Sequence, residues 1–429
     1  MLTVQVGQCG NQLGRALFDK LAAEGEAHGA ASTFFRAVDG RGDDTDRVAR
    51  AVLVDMEPKV VQQCLVHEGN GWKYDQRNTF TQQSGAGNNW AYGYAALGTQ
   101  HEDALVALLQ TEAERCDLLR GFMTLQSVAG GTGSGLGSFL TERIADVFPH
   151  AMVLNAAVWP FASGEVIVQN YNAVLTMASL ANAADAIIVL QNDTASAICK
   201  RLLHIERPSF DSLNEVLATH LVAAFLPAAR IGGDTKTRDM RIDMVSKMCY
   251  QLCEHAGYKL VDIKTVPQMP QRSKQFSTHT WSGVLKHLHQ MQVANSAFEE
   301  GIDWSIDLSR ADGQAWNRSL GSMLVLRGTG ASSADTVAFR DRRMYTSWSL
   351  APFDYFTSQK EFNCYDKSAT LISNSKALLP TLASTTDKAY EMFSHGAYSH
   401  QYARHGIDDD AFQEAFLKVD QVVQNYRSL

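Results

Sequence analysis

A glycine-rich stretch within residues 121–140 has the residue types and spacing needed to bind an anion. An apolar run precedes it, and apolar residues at helical spacing follow it. Its glycines and interleaved hydroxyl residues are Gly130, Gly131, Thr132, Gly133, Ser134 and Gly135. Glycine has no Cβ, so such a turn can approach a ligand closely and present successive backbone N–H groups to it. The positive end of the following helix would face the same anion, so the stretch predicts a phosphate-binding turn.

The spacing of these glycines differs from that of the common phosphate loops. A Walker loop ends in GK[ST], but no lysine follows here, and the dinucleotide fingerprint G-x-G-x-x-G is missing as well. Taken alone, the glycines fit a tight strand-to-helix turn equally well. The phosphate hypothesis therefore depends on the other loops.

The N-terminus repeats the same strand, glycine turn and helix pattern. Leu2 to Val6 predicts a buried strand, and the residues after it contain Gly7, Gln8 and Gln12. Gln8 and Gln12 are one helical turn apart, so both amides can reach a ligand held at the start of the helix. Ordinary surface glutamines are the alternative interpretation.

Two further loops carry polar groups suited to a phosphate site. A strand at 51–54 ends in Asp55-Met56-Glu57-Pro58, and carboxylates at the carboxyl end of a parallel strand can hold Mg²⁺ directly or through water. A lone carboxylate at such a position is more often a simple cap, and Pro58 after Glu57 also suits a turn. The loop at 84–89 is rich in glycine and asparagine and offers backbone donors and the Asn88 amide.

The middle of the chain alternates strands with helices. Strands are predicted at 152–158 and 186–190, and the polar segment 164–172 between them can meet a ribose. This alternation predicts a parallel sheet covered on both faces, whose ligands bind at the carboxyl ends of its strands. All the loops described so far, and Asn192 after the last strand, would lie at that edge.

A strongly apolar helix follows Pro208, with Phe210 and Asn214 one turn apart at its start. An aromatic face can stack on a purine, and an asparagine amide can pair with the edge of guanine. Core packing is the alternative for Phe210. The charged stretch 232–243 and the proline-containing stretch 267–280 predict loops, as does the polar stretch 36–47.

A second domain and a helical C-terminus are predicted beyond these loops. The final helix has apolar residues at 4-3-4-3 spacing and an acidic start at 408–410. The other expected elements are a helix over 281–300, strands near 323–326 and 346–349, and a helix over about 385–403.

The composition of the 429-residue chain, 45% hydrophobic and 20% charged, is that of a globular protein. Its net charge of −8 and the lack of a basic stripe argue against a nucleic-acid partner. Seven scattered cysteines favour a reducing compartment. Without a membrane-length apolar run or a signal peptide, we expect a cytosolic protein with no membrane partner.

Taken together and in order, the loops resemble motifs of the tubulins over essentially the whole chain. Other segments, including 159–172 and 287–304, look most like the delta subfamily rather than the alpha or beta subunits. The matching motifs are GQCGNQLG (7–14), VDMEP (54–58), SGAGNNWA (84–91), GGTGSG (130–135) and IERPSFDSLN (205–214).

The resemblance implies the tubulin fold, which is of class α/β. Its parts would be a Rossmann-like parallel-sheet GTP-binding domain (1–208), a long central helix (209–229), an α+β intermediate domain (230–366) and a C-terminal helical hairpin (367–429).

The resemblance also implies GTP or GDP as the ligand, with Mg²⁺ near Glu57. Glu165 would lie near the ribose, Asn192 and Asn214 on the guanine edge, and Phe210 against the base. The implied nucleotide-binding residues are Gln8, Cys9, Gln12, Asn88, Ser127, Ala129, Gly130, Gly131, Thr132, Gly133, Ser134, Glu165, Asn192, Phe210 and Asn214.

Two substitutions depart from the alpha and beta pattern. Gln169 stands where those subunits carry a glutamate in a nucleotide-facing loop, which alters the expected ribose contact, and Phe210 replaces a tyrosine.

Tubulins supply the catalytic acid in trans, from a loop that reaches the nucleotide of the next subunit. A general base must come within about 3 Å of the attacking water, directly or through a second water. Asp243 is the first candidate here and Asp239 the second. Because residues 230–255 do not align cleanly with the catalytic loop of the alpha and beta subunits, the sequence leaves GTP hydrolysis open.

Three functions follow as hypotheses. The first is a structural role beside other tubulins or centriolar microtubules, in the cytoplasm and cytoskeleton at centrioles or basal bodies, supporting cilia or flagella. The second is a polymerising GTPase whose assembly triggers turnover. The third, a dinucleotide-dependent enzyme, is opposed by the missing G-x-G-x-x-G. The chain ends at Leu429 without an acidic tail, so tail-dependent recruitment of motors is not expected.

Overall fold

The computed structural model of the chain describes residues 1–29, 31–37, 47–66, 71–230, 243–274, 279–306, 308 and 316–429. Most of the loop predicted at 36–47 lies outside these residues, as do Asp239 with nearly all of the charged stretch 232–243, and residues 275–278 of the stretch 267–280.

Strands and helices alternate over the first half of the chain and mix less regularly afterwards. The strands are β1 (Leu2–Val6), β2 (Phe35–Ala37), β3 (Arg47–Ala49), β4 (Ala51–Asp55), β5 (Trp72–Lys73), β6 (Thr79–Thr81), β7 (Gly121–Ser127), β8 (Met152–Trp159), β9 (Ala186–Gln191), β10 (Ala229–Arg230), β11 (Leu260–Val266), β12 (Ser319–Gly328), β13 (Phe353–Ser358) and β14 (Lys367–Ser375). The helices are α1 (Gly7–His28), α2 (Ala31–Phe34), α3 (Pro58–Val66), α4 (Thr99–Ala113), α5 (Gly137–Val147), α6 (Gln169–Ala183), α7 (Asn192–Ala197), α8 (Phe210–Phe225), α9 (Met244–Leu252), α10 (Gln271–Lys274), α11 (Trp281–Val293), α12 (Leu379–Ser394), α13 (Ser399–Ala403) and α14 (Asp409–Arg427).

The chain divides into two compact units. The first unit comprises Met1–Ala22, Ala31–Asn192 and Leu379–Asn425. The second comprises Ala23–Ala30, Asp193–Leu378 and Tyr426–Leu429. The four-part division predicted from the sequence is finer than this and stays a prediction.

The first unit is built on a parallel sheet, as predicted. Its strand order is β9-β8-β7-β1-β4-β6, and each neighbouring pair is parallel. The apolar runs of β1, β4 and β7 are buried because helices cover such a sheet on both faces. The fold is therefore of the α/β class.

Parallel pairing brings the carboxyl ends of these strands to one edge. The loops predicted to bind a ligand follow directly after those ends. The last residues of the strands concerned are Val6, Asp55, Ser127, Trp159 and Gln191. The sheet therefore positions the start of α1 (7–12) and the segments 55–58, 129–135 and 160–168 on the same edge.

The second unit contains a mixed sheet of order β10-β13-β12-β14-β11. The pairs β10–β13, β12–β14 and β11–β14 are antiparallel, while β12–β13 is parallel. Helix α11 packs its apolar residues Val284, Leu285 and Leu288 against Leu324 and Leu371 of the sheet. Helices packed on a largely antiparallel sheet are typical of the α+β class.

Helix α8 corresponds to the predicted central helix and is buried over much of its surface. The buried guanidinium of Arg327 donates from Nη2 to the carbonyl of Ala223 at 3.3 Å and from Nη1 to that of Pro227 at 3.1 Å, and it also donates to Leu226. The last carbonyls of a helix lack partners within the helix, so Arg327 supplies them with donors. Its positive charge is also stabilising there, because the C-terminal end of a helix carries partial negative charge. Burial lowers the pKa of Arg327 to about 9.

The strand predicted near residues 346–349 is wrong. Those residues form a turn in which the Ser349 N–H donates to the Thr346 carbonyl at 3.3 Å. The Arg342 guanidinium donates to the Ser349 carbonyl at 2.9 Å and holds the turn. Thr346 and Trp348 are residue types common in strands, which accounts for the wrong prediction. The next strand of the chain, β13, begins at Phe353.

Two predicted helices are shorter than expected. The helix placed at 281–300 ends at Val293, because Asn295 adopts a left-handed φ of 52°. The helix placed at 385–403 is interrupted between α12 and α13, where Gly396 has φ 64° and Tyr398 has φ 61°. A left-handed residue ends the regular hydrogen-bond ladder of a helix.

The last helix agrees with its predicted pattern. The Asp408 carboxylate accepts a hydrogen bond from the Ala411 N–H at 3.0 Å and caps α14. The residues at 4-3-4-3 spacing are all buried: Phe412, Phe416, Val419, Val423 and Tyr426. A membrane-crossing helix needs about 20 apolar residues, and the helices of the described part of the chain include none that meets this requirement.

A buried ion-pair network lies in the first unit. Glu112 is fully buried and accepts from Asn78 Nδ2 at 2.7 Å and from Arg115 Nη1 at 2.9 Å. Arg36 Nη2 lies 2.6 Å from Asp75 Oδ2 and its Nε 3.3 Å from Glu112 Oε1. Burial alone would raise the pKa of Asp75, but hydrogen bonds from Arg77 and the charges of Arg77 and Arg36 lower it well below its usual range.

Replacing Asp75 by Asn should lower the free energy of unfolding by about 1–3 kcal/mol at pH 7, because hydrogen bonds to charged groups are lost. The pKa of Asp75 is lower in the folded state, so its stabilisation is present above about pH 4 and is lost as the pH falls below it. Urea denaturation at pH 7 and pH 3 should show the difference between wild type and Asp75→Asn shrinking at the lower pH.

The exposed Asp117 supplies the control, since Asp117→Asn should change the stability by less than about 0.5 kcal/mol. An Asp75→Asn difference of equal size at both pH values would contradict the ionic origin of the stabilisation.

Candidate nucleotide-binding site

The glycine-rich turn joins β7 to α5, as predicted. The Ser127 hydroxyl accepts a hydrogen bond from the Ala129 N–H at 3.1 Å, and the Ser134 hydroxyl donates to the Gly130 carbonyl. Both hydroxyls therefore shape the turn itself. Gly130 and Thr132 are partly exposed, while Ala129 and Ser134 are buried. The turn thus presents Gly130 and Thr132 on its open side.

Glycines allow this turn to contact two other loops by their backbones. An ideal Cβ placed on Gly131 would lie 2.7 Å from both the Ala86 carbonyl oxygen and the Asn89 nitrogen. One placed on Gly7 would lie 2.9 Å from the Gly133 nitrogen. The start of α1 (7–12) and the loops at 84–90 and 129–135 are therefore packed together, which is the convergence predicted from the sequence.

The glycine turn also has an open side that suits a phosphate. An ideal Cβ on Gly130 would meet only Asn88 Oδ1, at 3.9 Å. One on Gly87, in the neighbouring loop, would meet nothing within 4 Å. Gly87 and Asn88 have left-handed φ values of 57° and 54°, so this loop turns tightly beside that space. The backbone can thus approach a ligand on this side.

The polar residues at the start of α1 divide between the interior and the surface. Asn11 is buried and donates from Nδ2 to the Gly7 carbonyl at 2.9 Å and the Val54 carbonyl at 3.2 Å. Gln8 is exposed, whereas Gln12 and Cys9 are partly exposed. Asn11 therefore holds β4 against the start of α1 from the protein interior. Gln8 and Gln12 remain accessible to solvent.

The charge of Glu165 acts on the Cys9 thiol despite their distance in sequence. Burial raises the pKa of the Cys9 thiol to about 12, and the negative charge of Glu165 adds to this rise. Cys9 therefore stays a neutral thiol at physiological pH. This electrostatic interaction links the predicted ribose-side carboxylate to the start of α1.

Gln169 has a structural role that the sequence did not indicate. It is buried, its Oε1 accepts from the Glu165 N–H at 2.9 Å, and its Nε2 donates to the Phe161 carbonyl at 3.2 Å. The amide therefore fixes the loop that presents the exposed Glu165. A carboxylate could not make the same donation to a carbonyl.

Two carboxylates lie at the carboxyl end of β4, Asp55 as its last residue and Glu57 just after it. Burial raises the pKa of Asp55 to about 6, and hydrogen bonds from the backbone oppose this while the charge of Glu57 adds to it. Glu57 is exposed, and an ideal Cβ on Gly85 would lie 2.5 Å from its Oε1. Glu57 therefore reaches the loop at 84–90.

Within the described residues, groups of three or more His, Cys, Asp or Glu side chains that could hold a metal ion are not found. A ready-made metal cage is thus missing from this part of the chain. A single carboxylate such as Glu57 fits a different arrangement, in which Mg²⁺ takes one or two carboxylates and completes its shell with water and phosphate oxygens.

The predicted base-side residues fall in both units. Asn192 is buried at the start of α7 in the first unit. Phe210 and Asn214 belong to the second unit and lie one turn apart in α8, whose N-terminus is capped by Ser209. Phe210 is 52% exposed, so the core-packing alternative is wrong. Asn214 is buried.

Asp243, the candidate catalytic acid, caps α9. Its Oδ1 accepts from the Val245 N–H at 3.1 Å, and its Oδ2 accepts from the Ser246 hydroxyl at 2.7 Å. The sequence signal for this cap is an acidic residue directly before an apolar helix with a serine three positions later. Its catalytic role stays a prediction, and the second candidate, Asp239, lies outside the described residues.

The glycine contacts predict different effects for two neighbouring substitutions. Gly131→Ala should lower the free energy of unfolding by about 1–3 kcal/mol, because its methyl group overlaps the backbone of the loop at 84–90. Gly130→Ala should leave stability within about 0.5 kcal/mol but weaken binding of GDP, since its methyl group enters the open side. Urea denaturation and GDP titration calorimetry measure the two effects.

Gly130→Ala is thus the matched control for Gly131→Ala. Wild-type stability in Gly131→Ala would contradict the close packing of the loops, and wild-type GDP affinity in Gly130→Ala would show that this side of the turn does not face the ligand.

Comparisons with known proteins agree with this geometry. Residues 1–200 match the Tubulin/FtsZ family, GTPase domain. Over the full chain, the protein is 40% identical to a tubulin delta chain of Canis lupus familiaris, with 100% of both chains covered. It is 39% identical to that of Mus musculus, covering 99% of that protein, and 38% identical to that of Homo sapiens, covering all of it. The chain therefore belongs to the tubulin family.

Proposed function

We propose that this tubulin-type GTP-binding protein acts as a delta-type component of the cytoskeleton at centrioles and basal bodies. There it would contact other tubulins or centriolar microtubules, support triplet microtubules and contribute to cilium or flagellum assembly. The full-length similarity to tubulin delta chains supports the delta assignment. The observation that carries nucleotide binding is the packing together of the start of α1 (7–12) and the loops at 84–90 and 129–135.

In this proposal the phosphates of GTP or GDP lie on the open side of the glycine turn. The backbone from Ala129 to Ser134 would donate N–H groups to them, and Ser127 would hold the entrance of the turn. The partly exposed Thr132 hydroxyl and the Asn88 amide would add side-chain donors. Gln8, Cys9 and Gln12 would contact the nucleotide from the start of α1, where the helix dipole favours negative charge.

The remaining contacts would select guanosine. Glu165 would accept hydrogen bonds from the ribose, and its position is supported by the bonds that Gln169 makes to its loop. The amides of Asn192 and Asn214 would pair with the guanine edge, and Phe210 would stack on the base. The high exposure of the Phe210 ring supports a stacking role, because an unstacked aromatic ring in water is unfavourable.

We further propose that Glu57 takes part in holding Mg²⁺ beside the phosphates. The ion would neutralise phosphate charge when it is bound. The contact of Glu57 with Gly85 supports this, since it brings the carboxylate to one of the phosphate loops.

A polymerising GTPase is the second candidate function. It would require the acid at Asp243 to reach the nucleotide of a neighbouring subunit. The capping bonds of Asp243 to Val245 and Ser246 favour a structural role for this carboxylate. We therefore place the structural function first.

Retention of guanine nucleotide tests the proposed ligand. The purified protein should release GTP or GDP on denaturation, identified by ion-exchange chromatography, at about one molecule per chain. Asn192→Ala should weaken GDP binding about 5- to 150-fold, because a donor or acceptor of the base edge left unpaired costs about 1–3 kcal/mol. Isothermal titration with GDP measures this loss.

Titration with ADP is the matched control, since adenine presents a different hydrogen-bonding edge. Equal affinity of the wild type for ADP and GDP, or an unchanged GDP affinity in Asn192→Ala, would contradict the proposed recognition of guanine.

Two substitutions at Asp243 separate capping from catalysis. Asn caps a helix about as well as Asp, whereas Ala costs about 1 kcal/mol. We expect Asp243→Ala to lower the unfolding free energy by that amount and Asp243→Asn to leave it unchanged. GTP turnover should be slow, independent of protein concentration and equal in wild type and Asp243→Asn, as measured by phosphate release.

A polymerising GTPase would show the opposite dependence of GTP turnover. Turnover that rises steeply with protein concentration and falls in the stably folded Asp243→Asn variant would favour the polymerising GTPase.

A further inference from the structure

Asn172 connects two of the phosphate loops from inside the first unit. It is fully buried on α6. Its Nδ2 donates to the Ala129 carbonyl at 2.6 Å and to the Asn88 carbonyl at 2.9 Å. Its Oδ1 accepts from the Trp90 N–H at 3.1 Å and from the Tyr402 hydroxyl at 2.6 Å. The carboxamide thus uses both its N–H groups and both lone pairs of its oxygen.

The orientation of this amide follows from its partners. The Ala129 and Asn88 carbonyls can only accept, and the Trp90 backbone nitrogen can only donate, so the two ends of the amide cannot be exchanged. Its oxygen must therefore face Trp90 and Tyr402. Asn172 sets the spacing between the start of the glycine turn and the loop at 84–90, both of which belong to the proposed phosphate site.

Tyr402 links this amide to the C-terminal segment, residues 397–405. The ring is buried and packs edge-on against Tyr171 and Phe412, with centroid distances of 5.6 Å and 5.2 Å. Burial raises the pKa of its hydroxyl well above the usual range, so it remains a hydrogen-bond donor. The contact joins residues 230 positions apart in the chain.

A second bond connects the same two parts. Asn89 Nδ2 donates to the Gln401 carbonyl at 3.2 Å, next to the Tyr402 contact. The rings of Tyr92 and His405 also lie 4.8 Å apart. The C-terminal segment is therefore attached to the loop at 84–90 directly through Gln401, and to both that loop and the glycine turn through Tyr402 and Asn172.

We propose that Asn172 and Tyr402 are positioning residues that couple the C-terminal segment to nucleotide retention. The Tyr402 hydroxyl fixes the Asn172 amide, and the amide fixes the backbones of the two phosphate loops. A nucleotide that orders these loops would in turn strengthen the docking of the C-terminal segment, because coupling between two sites is reciprocal. This inference rests on the proposed function of the site.

The test compares two single hydroxyl deletions. Tyr402→Phe removes the donor to Asn172 and keeps the ring. Tyr171→Phe is the matched control, because the Tyr171 hydroxyl donates at 2.8 Å to the Ala397 carbonyl of the same segment and, within the described residues, makes no hydrogen bond to the phosphate loops. We expect Tyr402→Phe to release bound GDP about fivefold faster than wild type, as one lost hydrogen bond would produce, and Tyr171→Phe to release it at the wild-type rate.

The release rates are measured by displacing a fluorescent GDP analogue, and circular dichroism verifies that both variants are folded. Equal rates in all three proteins would overturn the coupling. Equal acceleration in both variants would also overturn it, because that result indicates general loosening of the C-terminal segment.

Hydrogen exchange on the wild type provides a test that requires no variant. Exchange of the amides at 397–405 should be slower with excess GDP than after removal of the nucleotide, and unchanged exchange would contradict the coupling.

The experiments distinguish failure of the coupling from failure of the proposed function. A wild-type protein that binds no guanine nucleotide contradicts the proposed function, whereas normal binding that is insensitive to Tyr402→Phe contradicts only the coupling.

Discussion

Close contact of backbone with backbone at one edge of the parallel sheet is the constraint on which the site depends. Gly7 lies against Gly133, and Gly131 lies against Ala86. Farther along the same turn, a Cβ on Gly135 would overlap the Trp90 carbonyl. Side chains at these positions would push the loops apart, because a packed interior has no room for an added methyl group. The glycines are therefore required for the loops to meet, in addition to any role in contacting a ligand.

Backbone packed against backbone creates a second requirement, which is the satisfaction of polar groups. Buried N–H and C=O groups without partners are costly, and the short loops lack the ladders that satisfy strands and helices. Asn172 supplies partners to Ala129, Asn88 and Trp90, while Asn11 supplies them to Gly7 and Val54. Both asparagines lie on helices, Asn11 on α1 and Asn172 on α6. Glycine permits the approach, and the asparagine amides fix its geometry.

The sequence predicted those features that depend on local pattern. The apolar runs of β1, β4 and β8 were placed within a residue of their observed bounds, and parallel pairing then required the loops to share an edge. Helix ends were less predictable. The stop of α11 depends on the left-handed Asn295, and nothing in the apolar spacing before it marks that position.

The roles of Gln169 and Asn172 were beyond sequence reasoning for a different reason. Both are polar residues on a largely apolar helix, which is a sign of a buried hydrogen-bonding role. Their partners are set by tertiary structure, however, and Tyr402 is 230 residues away from Asn172. The sequence could mark them as unusual without saying what they bind.

The balance of charge at the edge of the sheet favours a bound cation in the proposed site. The residues proposed to hold the phosphates include neither lysine nor arginine, so positive charge comes from backbone dipoles, at about half an elementary charge per helix N-terminus. Asp55 and Glu57 add negative charge beside them, and burial together with Glu57 raises the pKa of Asp55 to about 6. Phosphates placed next to these carboxylates would raise that pKa further and would themselves be repelled. A divalent cation at Glu57 would reverse both effects, since it would attract the carboxylate and the phosphate oxygens together. The same acidity that would weaken the proposed site for a bare nucleotide would therefore suit a nucleotide bound with a metal ion.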